Sequence, residues 1–275
     1  MSGLPQWISD GGTAMDGAPG DGVTFTIATI VNDEVQYEEM RRSFCEGGFT
    51  EGCEYIAIDN RTGNLFDAYG GIRLLLARAR GRFVILCHQD VRLIADGRRE
   101  LVKRLEELDR IDALWALAGN AGGVQNGLAL RISDPHGENQ RKGDFPARAK
   151  SLDENLIVLK RSAMIAPSAD LSGFHLYGAD LCLQADLRGQ TAYVIDFHLR
   201  HLGGGTMGRD YYACLEALEA KYARVLQPRM IQTTCLAPMI TASSWRLGLA
   251  RLARLRKKLK KLKIERLAKA AGPRG

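Results

Sequence analysis

RFVILCHQDV, residues 82–91, decides how this chain is read. Its apolar run ends at Cys87, too short for a helix and rich in β-formers, as in a strand buried on both faces. Polar residues follow at once: His88, Gln89 and Asp90. The same design stands upstream. VTFTIATIV, residues 23–31, ends in Asn32, Asp33 and Glu34, and YIAI, residues 55–58, ends in Asp59 and Asn60. Helical spacing of apolar residues over 34–44 and 64–80 separates the three runs, so the pattern is βαβαβ with polar side chains at each strand's carboxyl end. Open α/β sheets bind ligands there, in the crevice outside the carboxyl ends of their strands.

Downstream the alternation continues. The pattern predicts a helix over 97–108, a strand over 112–119, a strand over 156–160 introduced by Asp153 and Glu154, and a loop and helix over 174–187. A strand over 192–197 runs toward His198 and His201, and an amphipathic helix follows over 210–225. The Gly-rich, polar stretch 120–148 reads as an insertion or mobile loop. Three segments result: a flexible lead over 1–22, a main domain over 23–240 and a basic helix over 241–275.

The 275 residues carry 45% hydrophobic and 25% charged residues, which excludes collagen-like, disordered and disulfide-scaffold chains. The net charge of +6 is unevenly placed. Residues 244–275 hold twelve Lys/Arg and one acid, which leaves 26 basic against 31 acidic residues in the other 243. An acidic body carries a basic appendage. The six cysteines form no CxxC pair, so neither a zinc site nor a disulfide framework is indicated and a reducing cytosol is expected. The N-terminus lacks an apolar signal core and no run is long enough to span a bilayer. No phosphate loop with its Lys-Ser/Thr, no GxSxG and no HExxH motif occurs.

Taken together, the ordered segments resemble a family 2 glycosyltransferase of the GT-A fold over roughly residues 23–236. FTIATIVND is similar to the family's first strand and turn, with Thr29 in the place of its proline and Asn32-Asp33 in the place of Asn-Glu. YIAIDN resembles the strand with the nucleotide-binding acid, and HQD the metal-binding Asp-x-Asp. SLDENLIVLKRS looks like the acceptor-side strand, FHLYGADLCLQA the loop and helix near the catalytic base, and DFHLRHLGGGT the late strand whose histidine lies near metal and diphosphate. Two positions depart from the pattern: His88 replaces the first Asp of the metal motif, and Gly178 stands where an acid is common.

The resemblance implies a mixed α/β sheet flanked by helices, a nucleoside diphosphate sugar as donor, and Mn²⁺ or Mg²⁺ between the acidic cleft and the diphosphate. It assigns Thr29, Asp33, Asp59 and Asn60 to the nucleotide, a UDP sugar before a dTDP or GDP sugar. Asp90, His88 and His201 go to the metal, although His88 also suits a hydrogen bond to the donor sugar or a packed structural imidazole, and His201 a hydrogen bond to the diphosphate or a structural place at the strand's end. Asp180 is the expected base for an inverting transfer. Asp153, Glu154 and His175 lie on the donor-sugar and acceptor side and compete for that role, since an acid in a helix's first turn is also what the macrodipole favours. Asp33 and Asp59 likewise suit plain helix caps and turns.

In the tail, apolar residues from Trp245 to Leu267 recur at helical spacing between Lys and Arg. A helix on an anionic membrane surface is expected, with the enzyme peripheral at the cytoplasmic face and a glycan or lipid-linked acceptor. The near-heptad Leu252, Leu255, Leu259 and Leu262 would also suit a homodimer contact, against which the like charge argues. No nucleic-acid domain accompanies the charge. The rival functions are a non-catalytic nucleotide-sugar or glycan-binding protein and a nucleotidyltransferase.

Overall fold

The computed structural model describes residues 7–8, 22–205, 207–230 and 238–270. It opens with β1 (Trp7–Ile8), β2 (Phe25–Val31), α1 (Glu34–Glu46), β3 (Cys53–Asp59), α2 (Ala68–Arg78), β4 (Phe83–Cys87), β5 (Val91–Leu93) and α3 (Arg98–Ile111). The central part is β-rich: β6 (Trp115–Gly119), β7 (Ala121–Val124), β8 (Gly127–Asp134), β9 (Gly137–Lys142), β10 (Ala147–Leu152) and β11 (Leu156–Lys160). Then come α4 (Tyr177–Leu187), β12 (Thr191–Val194), β13 (Leu199–His201), α5 (Arg209–Val225), the pair β14 (Arg229–Met230) and β15 (Met239–Ile240), and α6 (Ser244–Ala270). Apart from Trp7–Ile8, which pairs with β3, and Gly22, the glycine-rich lead lies outside the described residues.

The chain divides into two units, Met1–Leu218 and Glu219–Gly275. The first is a mixed α/β unit, as the resemblance implies. Its thirteen-stranded sheet runs β1-β3-β2-β4-β11-β6-β12-β10-β7-β8-β13-β5, with β9 attached to β8. β3, β2 and β4 are parallel, whereas β11 runs antiparallel between β4 and β6. Alternation along β2 feeds two layers. Phe25, Ile27 and Val31 join a core with Tyr37, Met40 and Phe44 of α1 and Leu101, Leu105 and Leu108 of α3. α2 packs against β2 and β3, and α4 against β10, β12 and β6.

β4 and β5 are joined only by His88-Gln89-Asp90, yet eight strand-to-strand steps separate them in the sheet. A flat sheet would put them about 38 Å apart at the usual strand spacing. The linker spans about 14 Å at full stretch, so the sheet curls until its far edge returns to the carboxyl end of β4. That closure builds the site.

The stretch 120–148 is not a mobile loop but part of the sheet. β7 and β8 form an antiparallel hairpin, β9 pairs with β8, and β10 pairs with β7 and β12. Asp196 ties this region to the body through Arg131 and Arg141 and to α3 through Arg104, at 3.3 to 3.6 Å.

In the second unit, β14 and β15 form a two-stranded ladder and α6 follows. No helix among the described residues is long and apolar enough to cross a membrane.

Candidate metal and nucleotide site

The antiparallel register of β13 on β5 sets His201 opposite Val91, the residue after Asp90. His88, Asp90 and His201 therefore meet, each offering one ligand atom, with these atoms within 4.8 Å of one another. Asp90 Oδ1 lies 3.3 Å from His201 Nε2 and 4.0 Å from His88 Nδ1, and the two ring nitrogens are 3.4 Å apart. Gly203 closes over them. A Cβ at that position would lie 2.8 Å from Asp90 Oδ2 and 3.4 Å from His201 Nε2, so only glycine lets the backbone approach so closely.

Burial works against the charged form of Asp90, but the hydrogen bond and charge of His201 outweigh it and hold the carboxyl below its ordinary range. His201 is raised for the complementary reason: desolvation opposes its charge, and Asp90 more than offsets it. His88 is lowered, chiefly by desolvation and then by His201. One carboxylate and two imidazoles under a glycine backbone fit a divalent cation, with the remaining positions of its shell left to water or substrate oxygens.

His88 is held on two sides. Its backbone N–H donates to the Asn155 carbonyl at 3.0 Å, and its Nε2 lies 3.0 Å from the Tyr177 hydroxyl. Gln89, between the two metal-type residues, turns the other way. Its Oε1 accepts the backbone N–H groups of Asn32 and Asp33 at 2.9 and 3.0 Å, which fixes the turn between β2 and α1.

Beside the triad opens a cleft of about 310 Å³. Ala28, Ile72 and Leu75 form part of its apolar wall, and Asn32, Asn60, His88, Gln89, Asp90 and His175 supply polar atoms. Of the residues assigned to a nucleotide, Asn60 faces this cleft while its amide also pins the loop to Phe66 at 2.7 and 3.2 Å. Asp33 is exposed and caps α1 by accepting from Gln36 N at 3.1 Å. Asp59 is gripped by Arg61, whose Nε and Nη2 reach its two oxygens at 2.9 and 2.7 Å, and that hydrogen bonding lowers its pKa. Thr29 corrects the expectation: it is 1% exposed, its hydroxyl lies 3.5 Å from Cys87 Sγ, and it faces packed protein.

On the opposite side, Asp180 is also placed differently from expectation. It is 0% exposed, and its two oxygens accept the backbone N–H and hydroxyl of Ser168, each at 2.7 Å. Such a carboxylate anchors a loop to α4 and has no face for an acceptor. Asp153 is exposed and accepts from Asn155 N at 3.0 Å. His175 lines the cleft with its ring edge-on to Tyr211. Glu154 is half-buried, accepts the Gly178 N–H at 3.2 Å at the start of α4, and is pushed up to about 8 by burial. His198 is buried against Ser133 Oγ at 2.9 Å, away from the triad.

Over 215 residues the chain is 39% identical to "ATP synthase subunits region ORF 6" of Fuscovulum blasticum, covering 75% of this chain and 86% of that one. The chain belongs to the ORF 6 family. No family model matches it. Among solved structures it is similar to mannosyltransferase PcManGT from Pyrobaculum calidifontis in complex with GDP-Man and Mn²⁺, with 13% identity and a TM-score of 0.48 over 78% of this chain and 68% of that one. It is also similar to A197 from STIV, with 10% identity and a TM-score of 0.40 over 66% of this chain and 86% of that one.

Three residues of this ORF 6 family member escape a reading by sequence. Tyr177 carries a signal only in preceding Gly178, Gln89 only in standing between His88 and Asp90, and Arg61 only in standing two residues after the acid it binds.

Proposed function

We propose that the protein is a metal-dependent, inverting glycosyltransferase that moves a sugar from a nucleoside diphosphate sugar to an acceptor hydroxyl. One observation carries this reading: His88, Asp90 and His201 converge under Gly203, at the carboxyl end of β4 and beside an open cleft. These residues would hold a divalent cation, which would supply positive charge to a bound diphosphate and so stabilise its departure. Asn60 and Asp59 meet the base, whose ring N–H the Asp59 carboxylate accepts, and the resemblance favours a UDP sugar over a dTDP or GDP sugar although each of these bases carries such an N–H. Asp33 lies toward the ribose, and Asp153 and His175 line the sugar and acceptor side.

Inversion needs a base that takes the acceptor's proton as its oxygen attacks the anomeric carbon and the carbon–phosphate oxygen bond breaks. Glu154 is the base in this proposal, in place of Asp180. Unlike Asp180 it is only half-buried, and its backbone carbonyl is linked to Tyr177 and thence to His88. A carboxyl near 8 is well matched to proton abstraction around neutral pH. The acceptor is a glycan or lipid-linked glycan of the cell surface, and α6 holds the enzyme at the cytoplasmic membrane face.

The test is turnover of UDP, dTDP and GDP sugars by the purified protein with Mn²⁺, Mg²⁺ or chelator. Release of nucleoside diphosphate that needs the cation and is lost in Asp90→Ala supports the reading. Tight binding of a donor that is never turned over would instead favour a non-catalytic binding protein.

A further inference from the structure

The Tyr177 hydroxyl has one proton and two neighbours. It donates to the Glu154 carbonyl oxygen at 3.1 Å, and it lies 3.0 Å from His88 Nε2. A carbonyl only accepts, so the arrangement that satisfies all three groups has Tyr177 donating to Glu154 and His88 Nε2–H donating to Tyr177. The proton of neutral His88 then resides on Nε2. Its bare Nδ1 is the atom 3.4 Å from His201 Nε2 and 4.0 Å from Asp90 Oδ1, inside the triad. Tyr177 is itself rigid: it is buried at the first turn of α4, and its ring meets Tyr69 edge-on at 6.4 Å. His88 is also fixed from behind by the Asn155 carbonyl.

We propose that Tyr177 is the positioning residue of the metal site, locking His88 so that its Nδ1 faces the ion, and that the resulting two-imidazole, one-carboxylate set selects a first-row transition cation over Mg²⁺. This rests on the proposed metal site but asks more of it. Mg²⁺ is a hard ion that prefers oxygen ligands and parts reluctantly with water, whereas imidazole suits transition cations. Groups that orient a metal-bound imidazole are worth 10-fold to 100-fold in affinity. Where an aspartate would stand in an Asp-x-Asp motif, His88 changes the donor set, and Tyr177 makes that histidine a ligand.

The experiment titrates the full chain with Mn²⁺, following free Mn²⁺ by electron paramagnetic resonance, and then displaces it with Mg²⁺. Wild type should bind Mn²⁺ at least about 10-fold more tightly than Mg²⁺. Tyr177→Phe keeps the ring against Tyr69 but loses the hydroxyl, and should weaken Mn²⁺ by about 10-fold or more. Its His88 ¹⁵N shifts should move away from the Nε2–H pattern. His88→Asp, which leaves Tyr177 untouched, should narrow the Mn²⁺/Mg²⁺ preference by about 10-fold. Mn²⁺ affinity unchanged in Tyr177→Phe, or a preference unchanged in His88→Asp, overturns the inference. A wild-type chain that takes up neither ion overturns the metal site itself, a failure distinct from either of these.

Discussion

The Leu152 carbonyl oxygen lies 2.2 Å from where a Cβ on Gly178 would sit, and the same point is 3.3 Å from Glu154 Cγ. β10 thus runs against the first turn of α4 so tightly that no side chain fits at 178, and the Glu154 side chain, delivered by the loop after β10, occupies the neighbouring space. Its carboxylate accepts the Gly178 N–H, so the acid missing from the helix is supplied across the contact. Leu176, with φ 65, makes the left-handed turn that starts the helix at this spot.

Restoring an acid at the helix position should therefore fail. Gly178→Asp, and also Gly178→Ala, is expected to force β10 and α4 apart at a cost of about 1–3 kcal/mol, the usual range for overpacking. Thermal melting should show both variants below wild type, with Ala no better tolerated in kind, because the collision is with the first carbon added. A Gly178→Asp protein as stable as wild type would mean that the contact is loose.

Glu154→Gln tests the proposed base in two ways. Turnover should fall by about 10²–10⁴ with donor binding retained, the range for losing a general base. The rising limb of wild-type activity, centred near pH 8, should vanish with it. Stability gives an independent reading. The folded carboxyl keeps its proton up to about 8, whereas its unfolded value is near 4.5, so the folded state binds more protons between these values and wild-type stability declines as pH rises through that window. Glutamine does not titrate. The melting temperature of the variant should gain on wild type from pH 4.5 to 8 and then level off.

Asp180 offers the contrasting case. Asp180→Ala leaves the Ser168 N–H and hydroxyl without their acceptor inside the protein, although Gln184 still donates to Ser168 Oγ at 3.0 Å. A loss of about 1–3 kcal/mol in denaturant unfolding is expected from the unsatisfied groups. Turnover per folded molecule should stay within a few-fold of wild type. A collapse of turnover without loss of stability would return the base to Asp180.

How much of this was legible in the sequence follows from how each part is held. β2, β3, β4 and β11 are buried strands, and a short apolar run between polar ends can be little else, so their positions were readable. β8 and β9 were not. GENQRK in β9 is half or fully exposed and pairs only with β8, so it carries no apolar alternation, and Asp134-Pro135-His136-Gly137 between them was a turn signal that the glycines around it obscured. Within the site, Asp90 and His201 could each be proposed from local motifs. Their meeting could not, because it depends on the pairing of β13 with β5. Asp180 shows the converse limit: an acid in a helix's first turn looks the same whether it faces a cleft or Ser168.

α6 joins strong positive charge to an exposed apolar stripe. Between residues 244 and 264 the sequence holds nine Lys/Arg and no acid, and Trp245, Leu252 and Leu259 are 64%, 53% and 56% exposed. An exposed stripe of this kind must be covered or wetted, and same-sign charge along the helix penalises pairing with a second copy. An anionic bilayer would satisfy both faces at once: the leucines and Trp245 would enter the headgroup boundary, and each basic residue near the surface would contribute about 1 kcal/mol. The protein should sediment with phosphatidylserine or phosphatidylglycerol vesicles, sediment little with phosphatidylcholine, and lose binding as salt is raised, because surface charge is screened. Removing residues 241–275 should abolish sedimentation while donor binding by the remaining chain persists. Vesicle binding that survives the deletion would place the membrane contact elsewhere, and a salt-insensitive dimer of the full chain would assign the leucine stripe to self-association instead.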